Sequence, residues 1–176
     1  MSNIPSLSAR PERMTEPLWA DPTDATLMQH LADFISSEII ADPAYISHGE
    51  VQSGLSPDGR HWHDNLPARM REDLLDIGPD RDVIYARQDG QIAGAAIILW
   101  VETPRTRFAV IEDMAVARPL RSTGLGGTLL DTIEDAARAR GMKWLFLESG
   151  LQNEGAHKFF ERGGFKIISK VFSKPL

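Results

Sequence analysis

Glycine fills three of four consecutive positions in Arg121-Ser122-Thr123-Gly124-Leu125-Gly126-Gly127, and an arginine opens the run. Glycines there let a backbone approach a ligand closely and adopt dihedrals closed to other residues. An apolar, strand-like stretch precedes the run, and a helical pattern follows it. Backbone N–H groups at a helix start have no intrahelical partner, and the dipole's positive end adds to them, so such a turn is an anion site. Arg118 and Arg121 supply charge for a phosphate. Two familiar phosphate motifs do not fit. The Walker loop requires a lysine that is absent here, and the dinucleotide fingerprint requires a third glycine where Leu129 stands. What is left is Arg-x-x-Gly-x-Gly-Gly.

Other chemistries narrow quickly. The 176 residues include no cysteine, which excludes disulfides, thiolate metal sites and a cysteine nucleophile. His48-Gly49-Glu50 and His61-Trp62-His63-Asp64 invite a metal reading, but no complete ligand set has a recognisable spacing, and no metal is expected. The net charge of −6 disfavours nucleic acid, whose phosphates need neutralising Lys and Arg. The longest apolar run, residues 92–101, is strand-sized, so no membrane partner is expected. The first residues lack a signal-peptide pattern, and the expected location is the cytoplasm.

The elements that must position the glycine turn can be read from periodicity. Residues 1–20, with Pro5, Pro11 and Pro17, read as a loose arm or edge segment, and residues 21–176 as one domain. Leu27, Leu31, Phe34 and Ile35 predict a helix that Asp24 caps. Residues 42–65 read as irregular, and a shorter helix spans 68–77. Strands follow at 83–88 and 92–101 around an Asp89-Gly90 hairpin turn, and a third at 107–116. The helix at 124–140 is the strongest pattern: Leu125, Leu129, Ile133 and Ala136 share a face, and Gly141 ends it. A strand at 144–148, a helix at 153–162 and a last strand at 165–172 complete the order.

A second block sharpens the reading. Asn153-Glu154-Gly155-Ala156-His157-Lys158-Phe159-Phe160-Glu161-Arg162-Gly163-Gly164-Phe165 opens a short helix with Asn, continues with Ala and aromatics, and ends on Gly-Phe. Together with the glycine turn, one helix and one strand earlier, it resembles the GNAT superfamily of acetyl-CoA-dependent N-acetyltransferases over roughly residues 80–173. The resemblance implies an α/β (α+β) GNAT fold. Its central sheet is mixed but mostly antiparallel, helices flank it, and a strand–Gly-rich loop–helix unit forms the pyrophosphate site.

The resemblance also implies roles. Met114, Ala115 and Val116 lie on a strand that bulges and offers its backbone to the pantetheine arm. Arg121, Ser122, Thr123, Gly124, Leu125, Gly126 and Gly127 cradle the pyrophosphate, and Asn153, Ala156 and Phe160 lie along the cofactor. Glu112 is the preferred general base, two residues before Met114 and on its face if alternation is strict, although a bulge would shift it. Glu148 is the second candidate. Phe160 stands where the family usually has a tyrosine that protonates the departing thiolate, and Ser149, Tyr45 or a water could substitute. Tyr45, His48, Glu50 and Trp62, in the segment that shapes the family's acceptor pocket, could hold an amine.

The implied function is acetyl transfer from acetyl-CoA to a primary amine, with a small molecule the expected acceptor, by direct attack in a ternary complex. A non-catalytic acyl-CoA-binding module and a peptide or protein amine acetyltransferase are the alternatives, and a homodimer stays open.

Overall fold

A computed structural model describes Met14 and residues 16–176. Most of the arm read at 1–20, including Pro5 and Pro11, therefore lies outside the described residues. Its end forms a short edge strand, β1 (Leu18–Trp19), paired antiparallel to Ile84 and Tyr85.

Helix α1 (Ala25–Ile40) starts at Asp24, whose carboxylate accepts the Leu27 N–H at 3.0 Å, as its position before the apolar periodicity predicts. The segment 42–65 is more ordered than expected. It holds a 3₁₀ turn (Pro43–Tyr45) and a short helix α2 (His48–Gln52). A reciprocal capping box fixes α2: the Ser47 hydroxyl serves the helix start, while Glu50 accepts the Ser47 N–H at 2.6 Å. Helix α3 (Leu66–Leu75) begins and ends two residues before the range expected.

Strands β2 (Arg81–Gln88) and β3 (Gln91–Glu102) form the hairpin, with positive φ at both Asp89 and Gly90 as a tight right-twisted turn requires. β4 (Arg107–Val116) pairs antiparallel with β3 and β5 (Trp144–Leu147) parallel with β4. The sheet order is β1-β2-β3-β4-β5. The β4–β5 crossover is α4 (Leu125–Ala139), closed by Gly141 at φ +71°. Helix α5 (Glu154–Arg162) follows β5.

Alternate residues of each strand feed two cores. Ile84, Ala96, Ile98, Ala109 and Ile111 meet Leu125, Leu129, Leu130 and Ile133 of α4. Val83, Ala95 and Ile97 meet Met28, Leu31 and Ile35 of α1 and Leu66, Met70 and Leu74 of α3. Each fully buried Leu or Ile contributes about 1.5–3 kcal/mol, so the sheet is clamped on both faces. The far end of α4 is tied down by Arg140, which bonds Asp82 at 2.7 Å and lies 4.1 Å over the Trp100 ring.

The expected last strand at 165–172 is not formed: the chain beyond Gly164 has no regular structure. Among the described residues nothing pairs with it, and the outer edge of β5 is likewise unpaired.

Candidate active site

The glycine turn lies between a 3₁₀ turn (Arg118–Leu120) and α4. Gly124 is the α4 N-cap at φ +98°, a conformation that penalises any Cβ, and no side chain caps the helix. The first helical bond in this turn runs from the Thr128 N–H to the Gly124 carbonyl at 3.0 Å, so the N–H groups of Leu125, Gly126 and Gly127 point out of the helix start without helical acceptors. The turn is braced from behind. Arg121 donates from Nε to the Val116 carbonyl at 3.1 Å and from Nη2 to Glu38 of α1 at 3.0 Å. The Thr123 hydroxyl donates to the Leu120 carbonyl at 2.7 Å. Ser122 holds a positive φ of 66°. Arg121 thus positions the turn, and the exposed Arg118 is the second cation beside it.

The bulge implied for the strand before this turn sits at Glu112. Ile98 pairs with Ile111 and Ile97 with Asp113, leaving Glu112 unmatched. Strict alternation therefore fails at this point. Met114 and Val116 pack toward α4 with Ile111. Glu112 turns to Arg81, which donates to it at 2.7 Å and holds Asp73 of α3 at 2.8 and 3.0 Å. β4 and β5 stay paired only as far as Ile111 and Leu147, where β5 ends while β4 continues to Val116. Beyond the bulge the two strands separate.

A cavity of about 60 Å³ opens at that separation. Tyr45 and Glu50, Ile111 to Met114, Leu147 to Ser149, and Asn153, Ala156 and Phe160 line it. Of the residues singled out in the sequence, it gathers Tyr45, Glu50, Glu112, Met114, Glu148, Ser149, Asn153, Ala156 and Phe160. A larger depression of about 270 Å³ between α1 and the β2–β3 hairpin shares no lining residue with it and contains none of the glycine turn. Size alone does not select the site.

Most of the cavity's polar groups already have partners. Glu112 is held by Arg81, and Glu50 caps the start of α2. Glu148 meets His48 Nδ1 and accepts from the Ser47 hydroxyl at 3.3 Å. The Asn153 carbonyl oxygen accepts the Ala156 N–H at 3.3 Å and caps α5. Asp113 is different. Among the described residues no donor bonds its carboxylate. Burial pushes its pKa up to about 7, and the nearby charges of Glu50, Glu112 and Asp73 add to this against the opposing pull of Arg81. Sequence reading missed this residue, because only the bulge makes the neighbour of Glu112 face the cavity. One further polar atom is buried without a partner there, the Ser149 hydroxyl.

Two expected residues lie elsewhere. His48 stands behind Glu148 and does not line the cavity. Trp62 packs against the α1–α3 core, with its indole N–H buried and unbonded among the described residues. The remaining histidines of the loop are also engaged: His61 pairs with Asp58 at 2.7 Å, and His63 Nε2 lies 3.1 Å from Arg69. Among the described residues no three His, Asp or Glu side chains are placed to hold a metal ion. No described helix is long and apolar enough to cross a membrane.

An uncapped helix start beside a bulged strand that parts from its parallel neighbour defines the class, and comparison with known proteins gives the family. A family model described as Acetyltransferase (GNAT) family matches residues 50–165. The chain belongs to the GNAT acetyltransferases. The N-acetyltransferase YhdJ of Bacillus subtilis is 43% identical over 67 residues, 38% of this chain and 47% of that one. The chain thus spans about half the length of that relative. The IAA acetyltransferase of Azospirillum brasilense is 31% identical over 110 residues, 60% of this chain and 70% of that one. An aminoglycoside N-acetyltransferase solved with CoA shares the fold at TM-score 0.62 and 16% identity, over 97% of this chain and 99% of the other.

Proposed function

We propose that this protein transfers the acetyl group of acetyl-CoA to a primary amine of a small molecule, by direct attack while both substrates are bound. The observation that carries the reading is the junction of an uncapped α4 start with a cavity whose one unbonded carboxylate is Asp113. The free N–H groups of Leu125, Gly126 and Gly127 suit the pyrophosphate, with Arg118 adding charge. The β4 edge at Met114 and Ala115, which β5 no longer covers, suits the amide-bearing pantetheine arm. Val116 contributes less, since its carbonyl is bonded to Arg121.

In the reaction the amine nitrogen attacks the thioester carbon, the C–S bond breaks and coenzyme A leaves as a thiolate. An alkylammonium titrates near pH 10.4 and must first lose a proton. Asp113 takes the role that the sequence suggested for Glu112. It is unbonded, it faces the cavity, and a pKa near 7 matches a base working at neutral pH. Glu112 and Glu148, held by Arg81 and His48, remain as polar walls of the cavity. Phe160 cannot protonate the thiolate. The Ser149 hydroxyl, buried at the cavity wall without an acceptor, is the donor that replaces the usual tyrosine.

The test has two parts. Acetyl-CoA should raise the melting temperature, since a ligand that binds only the native state stabilises it by mass action. Thiol release should then follow from a panel of small amines, with peptide amines as the comparison. Absence of any thermal shift with saturating acetyl-CoA or CoA would remove the whole reading. A shift without turnover on any amine would favour a binding module.

A further inference from the structure

We propose that Arg81 is a positioning residue of the transfer reaction: it engages the carboxylate of Glu112 at the bulge and so leaves Asp113 as the group that takes the amine's proton. This role deepens the proposed function and rests on it.

Arg81 and Val83 stand two apart on β2 and so share a face of the sheet, and Val83 packs into the core beneath α1 and α3. Arg81 therefore faces α3. β3 lies between β2 and β4, and neighbouring strands are about 4.8 Å apart. Only a long side chain reaches the bulge from β2. Arg81 Nε donates to Glu112 at 2.7 Å, while Nη1 and Nη2 donate to the two oxygens of Asp73 at 3.0 and 2.8 Å. The Arg81 side chain is 18% exposed. One rigid guanidinium thus joins α3 to β4 at the residue where the ladder is interrupted. Arginine suits this place because its planar fork grips a carboxylate at two points and its charge is permanent.

The consequence falls on two adjacent carboxylates. Glu112 and Asp113 both line the cavity. Protonating Glu112 would weaken a largely buried ion pair and leave Arg81 undercompensated. Asp113 has no such bond to give up. Charge acts in the same sense. Glu50 of α2, Glu112 of β4 and Asp73 of α3 all oppose ionisation of Asp113, and Arg81 of β2 favours it. Tyr45 and Glu148 are the other titratable groups of the lining, and Glu148 is held by His48. On α1, Asp33 and Glu38 are turned to Arg71 and Arg121. The α5 side contributes Asn153, Ala156 and Phe160, which do not titrate. Arg81 therefore governs both which carboxylate is free and the pH at which it ionises.

The experiment follows Asp113 in two ways in the full chain. One is the carbon-13 resonance of its carboxyl group, assigned with Asp113→Asn. The other is the pH dependence of kcat at saturating acetyl-CoA. Arg81→Gln should move the titration and the rising limb of kcat upward by about one pH unit, which below the limb is about a tenfold loss of turnover. Asp73→Asn and Glu112→Gln each remove a negative charge and should move both downward. Arg81→Lys keeps the charge without the fork, so its limb should lie closer to the wild type than that of Arg81→Gln. A guanidinium that only braces the fold would lower stability in these variants without shifts of opposite sign. A carboxyl titration unmoved in Arg81→Gln, or moved the same way in every variant, overturns the positioning role while the acetyl-transfer reading stands. A titration that moves as expected under an unmoved rate limb removes Asp113 from the chemistry, and the role of Arg81 with it. If Arg81→Gln does not fold, Asp73→Asn and Glu112→Gln decide alone, and an unmoved titration in both overturns the proposal.

Discussion

The glycine turn and the cavity are neighbours built by opposite means. The turn does its work with backbone. Its N–H groups are free because Gly124 ends the loop in a left-handed conformation and nothing caps α4, and all of its residues lie within one short stretch. The cavity is made of side chains from the 3₁₀ turn, α2, β4, the end of β5 and α5. Its electrostatics are set by ion pairs between residues far apart in the chain, Arg81 with Glu112 and His48 with Glu148. A locally built site can be damaged without disturbing the remote one, and the reverse.

The strongest way to break this division is at Asp113. Asp113→Asn should lower kcat by about 10²–10⁴-fold, the usual worth of a general base. The KM for acetyl-CoA should hardly change if, as proposed, the glycine turn holds the cofactor's phosphates. In the wild type, activity should rise with pH through about 7 as Asp113 ionises, and the variant should lose this limb. Stability should move the other way. Raised above its unfolded value of 3.8, the Asp113 pKa makes ionisation costlier in the folded protein, so its contribution to stability is full at low pH and declines as pH rises toward 7. Asp113→Asn should therefore gain melting temperature relative to wild type at pH 8 more than at pH 5. Equal kcat and an unchanged pH profile would return the role to Glu112.

Gly150 tests the cavity's assembly across the chain. A Cβ there would lie 2.1 Å from the Ala44 carbonyl oxygen and 2.6 Å from that of Ile46. Gly150→Ala must push the 3₁₀ turn carrying Tyr45 away from β5. The expected cost is about 1–3 kcal/mol, typical of overpacking. The amine KM should rise while acetyl-CoA still stabilises the protein. An intact melting temperature would mean that the contact relaxes freely.

The turn itself is probed by Gly124→Val. A β-branched residue in the left-handed region costs roughly 1–2 kcal/mol of backbone strain. Acetyl-CoA affinity should fall about tenfold, in line with that strain, and catalysis at saturating cofactor should be largely retained. Calorimetric titration reads the first effect and kinetics the second. Unchanged affinity would show that the pyrophosphate is not held there.

These contrasts also explain what the sequence revealed. The turn, the long helix, the Asp89-Gly90 hairpin and the Asp24 cap are local patterns, and each stands where its pattern put it. The 42–65 segment reads as irregular because its order comes from a capping box in a helix too short to show periodicity. Glu112 shares the face of Met114 only if alternation is strict, and sequence does not say whether the strand bulges; the single unmatched residue leaves Glu112 bonded to Arg81 and Asp113 unbonded. Residues 165–172 are rich in strand-forming apolar side chains, Phe165, Ile167, Ile168, Val171 and Phe172, but a strand needs a partner edge, and sequence says nothing about where that edge lies.

The smallest effect separates two helix starts. α4 is left uncapped, whereas α5 is capped by Asn153 at 3.3 Å from the Ala156 N–H. The family resemblance gives Asn153 a place beside the pantetheine arm, and its capping bond uses only the side-chain oxygen. The amide NH₂ is left to donate into the cavity that Asn153 lines. Asn153→Ala should lose about 1 kcal/mol of stability, the ordinary worth of a cap. Asn153→Asp preserves an accepting oxygen and the cap but removes the NH₂ donor. If Asn153 only caps, Ala should destabilise, Asp should not, and both should leave the KM for acetyl-CoA unchanged. If it also donates to the pantetheine arm, both variants should raise that KM by a similar, severalfold amount, consistent with losing one hydrogen bond of roughly 1 kcal/mol. Denaturant melts and steady-state kinetics on the pair decide between the two. A raised KM in Asp, with stability intact, would show that this helix start is a cap and a cofactor contact at once.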